Sequence, residues 1–275
     1  MTRAALEGRL AAAGIEDARA EANVLFCHFS GCSLAAAMAD RDADCTDPAL
    51  AEALSRREAR EPLAYVLGEA YFFGERYAVS PACLVPRPDT ERLVEEALAR
   101  LPQGATAADF CTGSGCIAIS LCKTRPDLAC DAFDLSPAAL AVARENAATH
   151  GVADRVHFYE RDLLDHTKPF PRARYSAILS NPPYLTAADL CDPQPEITRE
   201  PRMALDGGED GLTFYRCFLK NYRTLLAEDG AFLFEIGAAQ GGQIRTLAEE
   251  NGCDCTVLQD YAGLDRVAIV TPRKA

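Results

Sequence analysis

The sequence predicts an α/β protein: a mostly parallel sheet covered by helices on both faces, with an antiparallel last strand, preceded by a small helical bundle and a β-hairpin. Three observations carry that prediction. Beyond residue 102, short apolar, β-compatible runs alternate with helix-length segments, the pattern of a parallel sheet with crossover helices. The last two strand-like runs are joined through Gln259–Leu264, which leaves no room for a crossover helix, so that pair is antiparallel. The first 70 residues show helical spacing of apolar positions instead. At 275 residues, 49% hydrophobic and 25% charged, the chain is long enough to bury a substantial core.

In chain order, Leu6, Leu10 and Ala13 mark one helical face, Ala22, Leu25, Phe26 and Phe29 a second, and Leu50 and Leu54 with the Arg-rich run after them a third. Gly14, Gly31 and the Asp40–Asp47 cluster punctuate these helices, and Asp47-Pro48 reads as a helix start. Residues 1–70 therefore form one region, with no catalytic constellation of its own. Residues 71–90 form a hairpin and linker: Tyr71–Ser80 is aromatic and β-branched around a Gly-Glu turn, and two prolines stiffen Val85-Pro-Arg-Pro-Asp-Thr-Glu91. Thr90 is placed to cap a helix over Glu91–Leu101. Residues 91–275 hold the alternating region. Strands are predicted at Ala105–Phe110, Ala129–Leu135, Arg155–Tyr159, Tyr175–Ser180, Ala231–Ile236, Cys253–Leu258 and Arg266–Thr271, with helices at Cys116–Lys123, Pro137–His150, Gly211–Ala227 and Gln240–Asn251.

Composition narrows the function classes. The net charge is −13, and residues 1–84 carry 8 Lys and Arg against 13 Asp and Glu. A protein that grips nucleic acid needs a basic face to neutralise phosphates, so no direct nucleic-acid partner is expected and a basic or protein partner fits better. No apolar run approaches the ~18 residues of a membrane span, and the first residues have no signal-peptide core, so the expected location is cytoplasmic without membrane contact. Twelve cysteines include no C-x-x-C pair, and many lie in apolar stretches where Cys acts as a small hydrophobe; the four histidines are scattered. Neither a metal site nor a disulfide framework is expected.

The predicted strand ends carry the chemistry, where ligands bind in open α/β sheets. After the first comes Asp109-Phe-Cys-Thr-Gly-Ser-Gly115, opening into a helix: Gly113 and Gly115 let backbone approach a ligand, while Cys111, Thr112 and Ser114 line the loop and the small Thr112 and Ser114 keep the cleft open. The loop lacks the third glycine of a dinucleotide fingerprint. Asp134 ends the second strand, where a carboxylate can accept both hydroxyls of a ribose or, alternatively, cap the helix before Pro137. Asp162 follows the third, where it can accept from an adenine amino group with Leu163 against the ring, or serve as a turn acid; the set of four, one per strand end, favours the ligand role. The fourth ends in Asn181-Pro182-Pro183-Tyr184, a stiff non-helical corner that presents one amide and one aromatic ring to a planar polar group. A ribose-and-adenine ligand without a pyrophosphate loop points to S-adenosylmethionine, and no G-x-x-x-x-G-K-[ST] motif suggests ATP.

Together these stretches resemble the protein-glutamine methyltransferases that modify peptide chain release factors, the PrmC/HemK family. The likeness covers nearly the whole chain: the helical N-terminal region, the hairpin, Val85–Glu91, Asp109–Gly115, Asp134, Ser180–Tyr184, Glu200-Pro201 with Ala204-Leu205, and Gly208-Glu-Asp-Gly-Leu212. One departure is Cys111, where the family has the first loop glycine; the remaining glycines suggest that its Cβ costs little. The resemblance implies a class I S-adenosylmethionine-dependent methyltransferase, Rossmann-like over residues 91–275, with residues 1–70 recognising substrate. It also implies methyl transfer to the side-chain N5 of the glutamine in a release factor's Gly-Gly-Gln. Asn181 and the Pro182 carbonyl would then accept the substrate N–H groups, with Pro183 and Tyr184 completing the corner and Asn181 also touching the cofactor. Arg87 and Phe72 are further candidates for the entrance. The alternative is a nucleic-acid methyltransferase acting on an exocyclic amino group of adenine or guanine, which poses the same lone-pair problem. The chain's own Gly241-Gly242-Gln243 reads as a helix entrance.

Overall fold

A computed structural model describes residues 1–40 and 42–274; of the Asp40–Asp47 stretch, Arg41 lies outside the described residues. The chain divides into two units, Met1–Ala70 with Gln194–Arg199, and Tyr71–Pro193 with Glu200–Ala275.

The first unit contains α1 (Arg3–Ala12), α2 (Ala18–Ser30), α3 (Leu34–Ala39), α4 (Ala49–Glu58) and α5 (Leu63–Leu67). Thr2 caps α1 by accepting from the Ala5 N–H, and Gly31 closes α2 at φ 69°. Their apolar stripes meet in a core of Leu6, Leu10, Leu25, Phe26, Leu50 and Leu54. The Arg-rich run after Leu54 is not a solvated face. Arg57 is buried, pairing with Glu21 at 2.6 Å and Glu196 at 2.9 Å, which supplies the partners that a buried guanidinium requires.

The chain passes into the second unit within β1 (Glu69–Phe72), which with β2 (Glu75–Ala78) forms the hairpin. Its turn is Phe73-Gly74 rather than Gly-Glu. Both residues have positive φ, 52° and 77°, as a two-residue turn matching the strand twist requires. The Glu91 carboxylate accepts the Phe73 N–H at 2.8 Å. Then follow α6 (Glu91–Arg100), β3 (Thr106–Phe110), α7 (Cys116–Thr124), β4 (Ala129–Asp134), α8 (Pro137–Thr149), β5 (Val156–Glu160), β6 (Tyr175–Ser180), α9 (Thr213–Asn221), β7 (Leu226–Glu235), α10 (Gly241–Glu250), β8 (Cys253–Gln259) and β9 (Asp265–Pro272). Among the described residues the large sheet runs β5-β4-β3-β6-β7-β9-β8. The first five strands are parallel, β9 is antiparallel to β7, and β8 is antiparallel to β9.

Both faces of the sheet are apolar, so successive strand residues feed opposite cores. Ala107, Leu179, Leu233 and Ile269 join one core with α6 and α7; Ala108, Ile178, Phe232 and Val270 join the other with α9 and α10. Phe110, at the end of β3, meets Phe133, Phe170, Phe218 and Tyr222 at centroid distances of 5.3–5.6 Å, which fixes that strand end from several sides.

Two boundaries differ from the sequence reading for tertiary reasons. The helix predicted to reach Ala227 stops at Asn221, because the Tyr222 hydroxyl donates to the Leu163 carbonyl and Leu226 already pairs with Tyr175 in the sheet. Thr90, the predicted cap of α6, lies in a 3-10 turn (Pro88–Thr90), makes no cap hydrogen bond, and donates instead to Glu235.

One buried side chain ties the hairpin to the site loop. Asn146 of α8 accepts from the Ala78 N–H at 2.8 Å and donates to the carbonyls of Ala78 at 3.0 Å and Ser114 at 2.9 Å. Asn146→Ala strands these partners without replacement, so it should lower unfolding free energy by about 2–4 kcal/mol, measured by urea denaturation.

Candidate active site

The strand order reverses between β3 and β6: the chain steps outward through β4 and β5, then returns to β3's other side. A crevice forms at such a switch point, beyond the carboxyl ends of the strands. Here it is a cavity of about 250 Å³ whose lining includes Cys111 and Gly113 after β3, Asp134 at the end of β4, Asp162 and Leu163 after β5, and Asn181 and Pro183 after β6. A larger hollow of about 610 Å³ lies where β6 and β7 begin, lined by Ala177, Gly230 and Leu101, away from these groups.

The loop after β3 is held from beneath. Asp109 is fully buried, and its Oδ2 accepts from the Thr112 hydroxyl at 2.5 Å and the Ala118 N–H at 3.3 Å. Its Oδ1 has no partner, and burial lifts the carboxyl to about 7. Thr112 and Ser114 are buried, so they do not keep the cleft open as the sequence suggested; they fix the loop's underside. Gly115 does not line the cavity either. It lets α7 and α8 approach, since a Cβ there would meet Ile119 at 2.9 Å and Ala143 at 3.1 Å. Gly113 does face the opening: nothing lies within 4 Å of where its Cβ would be.

Asp134 accepts from the N–H groups of Gly113 and Ser136, each at 2.9 Å, one on each oxygen. Burial still holds its carboxyl above the ordinary carboxylate range, and each oxygen keeps lone pairs for a ligand hydroxyl. Asp162 accepts the Leu164 N–H at 2.8 Å, and Leu163 is buried against the cavity. A carboxylate with lone pairs left for a diol, an acceptor beside an apolar wall and an open glycine fit a nucleoside whose amino acid tail bears no phosphate.

The corner after β6 is braced on three sides. The Ser180 hydroxyl donates to the Phe110 carbonyl at 2.7 Å, tying β6 to β3. Gln240 donates to the Tyr184 carbonyl at 3.1 Å. Gly211 packs so closely that a Cβ would fall 2.3 Å from the Tyr184 oxygen, which accounts for a glycine there in the Gly208–Leu212 stretch. Asn181 Nδ2 donates to Thr90 at 3.2 Å, and the Tyr184 hydroxyl donates to Glu235 at 3.4 Å. Pro182 is buried, and neither Pro182 nor Tyr184 is part of the cavity wall. Glu200 is also buried, accepting from the Val85 N–H at 3.1 Å and the Arg87 guanidinium. These bonds join the linker to Glu200-Pro201 in the folded chain. Phe72 is not at an entrance; it is fully buried against Tyr77.

Residues 89–208 match the family model described as "Methyltransferase small domain", and residues 3–68 match "PrmC N-terminal domain". A "Release factor glutamine methyltransferase" of Geobacter sulfurreducens is 40% identical, covering 94% of this chain and 92% of its own. One from Cereibacter sphaeroides is 43% identical, covering 94% and 93%. The chain belongs to the release factor glutamine methyltransferase family. The fold is also that of a methyltransferase from Pyrococcus furiosus, 16% identical with a TM-score of 0.55, over 72% of this chain and 89% of that one.

Against that family, the sequence reading missed the apolar lining from Leu84, Met203 and Phe214, which come from three segments with no local signal. It also missed Glu235. The available hint was an acid ending the apolar run Phe232-Leu-Phe-Glu235, and Glu235 is buried with its carboxyl lifted to about 7.

Cys111 adopts φ 61°, a left-handed conformation in which a Cβ costs roughly 1–2 kcal/mol, more than the sequence suggested. Glycine normally destabilises a chain relative to alanine; at this position the sign should reverse. Of two variants that both lack the thiol, Cys111→Gly should be more stable than Cys111→Ala by about 0.5–1 kcal/mol in chemical denaturation.

Proposed function

We propose that the chain methylates the side-chain amide nitrogen of the glutamine in the Gly-Gly-Gln tripeptide of peptide chain release factors, using S-adenosylmethionine. The observation that carries this reading is the Asn181–Tyr184 corner, whose Asn181 and Pro183 share a cavity with Gly113 and Asp134. S-adenosylmethionine supplies a methyl group already activated by its sulfonium. Asp134 would accept from the ribose hydroxyls and Asp162 from the adenine amino group, with Leu163 offering an apolar wall to the adenine. Cys111 and Gly113 border the remainder, while Thr112, Ser114 and Gly115 shape the loop from behind.

A carboxamide nitrogen is a weak nucleophile because its lone pair is delocalised into the carbonyl. Asn181 Oδ1 and the Pro182 carbonyl each accept one N–H of the substrate amide, turning the nitrogen lone pair toward the methyl group. Tyr184 offers its ring to the amide plane, with its hydroxyl held by Glu235. The N–CH₃ bond would form as the S–CH₃ bond breaks, with the neutral thioether leaving and one N–H proton passing to solvent afterwards; no strong base is required before transfer, so the acceleration comes from positioning and oriented dipoles. The helical unit of residues 1–70 and Gln194–Arg199 is the part we assign to recognition of the release factor. The acidic charge of the enzyme favours a basic protein surface over nucleic acid. Among the described residues, no helix is long and apolar enough to cross a membrane.

Mass spectrometry of a release factor incubated with enzyme and cofactor should find one added methyl on the Gly-Gly-Gln peptide; label transferred to total RNA instead would overturn the reading. Asn181→Ala should lower turnover by roughly 10²–10³ while cofactor affinity changes little. Raising the salt concentration should slow methylation by weakening long-range attraction, and a rate independent of salt would remove electrostatic docking from the account.

A further inference from the structure

A carboxamide has nearly the same shape either way round, so a half-turn of the Asn181 side chain exchanges an acceptor for a donor. The methyl-transfer reading needs the acceptor to face the substrate. Two side chains outside the expected site, Thr90 and Glu235, decide the matter. The Thr90 hydroxyl lies 2.5 Å from Glu235 Oε2, Asn181 Nδ2 lies 3.2 Å from Thr90 Oγ1, and the Tyr184 hydroxyl lies 3.4 Å from Glu235 Oε1. Thr90 and Glu235 are both buried.

The direction of this chain of bonds follows from its far end. An ionised carboxylate has no proton to give, so the Thr90 hydroxyl must donate to Glu235. The Thr90 oxygen then offers only lone pairs, so the Asn181 group that faces it must be the NH₂. That leaves Oδ1 as the acceptor free to meet a substrate at the cavity that Asn181 lines. We propose that Thr90 and Glu235 are positioning residues that fix the polarity of the Asn181 carboxamide, and that protonating Glu235 releases it. This inference rests on the methyl-transfer reading for its catalytic consequence, though not for the orientation itself.

Protonation acts through the same bonds. A neutral Glu235 can donate to Thr90, which frees the Thr90 hydroxyl to donate to Asn181 Oδ1. The carboxamide then turns its NH₂ toward the substrate and the acceptor is lost. Burial raises the Glu235 carboxyl, the bond from Thr90 and the Arg266 guanidinium oppose the rise, Asp89 adds to it and the Tyr184 hydroxyl opposes it, leaving the carboxyl at about 7. Arg266 is itself shared with Asp89 and Asp260, each at 3.2 Å, and the Tyr215 hydroxyl is committed to the Glu235 backbone carbonyl at 2.7 Å. The ionised, productive arrangement is therefore present above about pH 7 and is lost as pH falls through that value.

Three measurements test this. Thr90→Val keeps the shape and removes the relay, so kcat should fall roughly 10–100-fold with the cofactor dissociation constant within about threefold, and Thr90→Ser should restore most of kcat. Unchanged kcat in the valine variant, or equal loss in both, would overturn the proposal. Wild-type kcat should decline below about pH 7, and Glu235→Gln, whose side chain does not titrate, should remove that decline whatever its level of activity; a decline that persists in the glutamine variant counts against Glu235. The third readout needs no substrate. The Asn181 side-chain NH₂ resonances, identified by their loss in Asn181→Ala, should titrate near pH 7 in the enzyme alone and cease to do so in Glu235→Gln. If the wild type fails to methylate a release factor while these resonances titrate, the substrate reading fails and the orientation stands. If methylation proceeds and they do not titrate, the relay fails alone.

Discussion

The site depends on one topological constraint, the reversal of strand order between β3 and β6. The chain leaving β3 enters α7 on one face of the sheet, and the chain leaving β6 reaches α9 on the other. Two adjacent strand ends whose continuations part in this way leave a gap that main chain does not fill. Cys111 and Gly113 of the first loop and Asn181 and Pro183 of the corner face each other across it. Their separation is fixed by the pairing of Phe110 with Ser180 and by the Ser180 hydroxyl on the Phe110 carbonyl. A reactive methyl and a planar amide must meet at a set distance and angle, and in the proposed reaction this gap would hold the groups that receive them on one rigid frame.

Keeping the frame rigid costs free energy locally. Asp109 buries a carboxylate oxygen without a partner to hold the loop's underside, and Glu235 is buried at the end of β7 to hold Thr90 and Tyr184. Both carboxyls are lifted to about 7, so between the ordinary carboxylate range and neutrality the folded chain binds protons that the unfolded chain has released. Cys111 adds a left-handed backbone where glycine would be at ease. The aromatic cluster around Phe110 and the two apolar faces of the sheet offset these costs. Strain tolerated at a site and supported elsewhere is the usual balance in a catalytic protein.

The sheet was legible in the sequence because its strands are apolar on both faces and bounded by turn residues. Tyr175–Ser180 could be placed to the residue, since two prolines end it and a charged segment precedes it. That Gly113, Asp134, Asp162 and Asn181 would come together was legible for a related reason: each lies at or just beyond a strand end, and in this topology strand ends converge on one cavity. The misreadings share a different cause. Thr90 has the local look of a helix cap, but its partner lies 145 residues away. Thr112 and Ser114 look like small residues that widen a cleft, yet Asp109 draws the Thr112 hydroxyl beneath the loop and burial takes Ser114 with it. The end of α9 is set by Tyr222 reaching Leu163, again outside any local window. Local pattern gives the elements and their ends; which way a polar side chain turns is decided by what the fold brings beside it.

That distinction bears on what the corner is for. Two prolines fix where Asn181 sits but not which way its amide faces, and a carboxamide free to turn would present a donor to the substrate part of the time. A substrate amide held by one acceptor and one donor would be poorly aligned for attack, whatever the rigidity of the backbone. Positional order from the prolines and polarity from a buried hydroxyl and carboxylate are thus separate requirements, met by separate segments of the chain. The Val85–Glu91 linker bears both on this: Arg87 anchors it to Glu200, and Thr90 within it reaches Asn181 and Glu235. A stretch that looks like a connector between hairpin and helix is, in the folded chain, part of the wall behind the reacting amide.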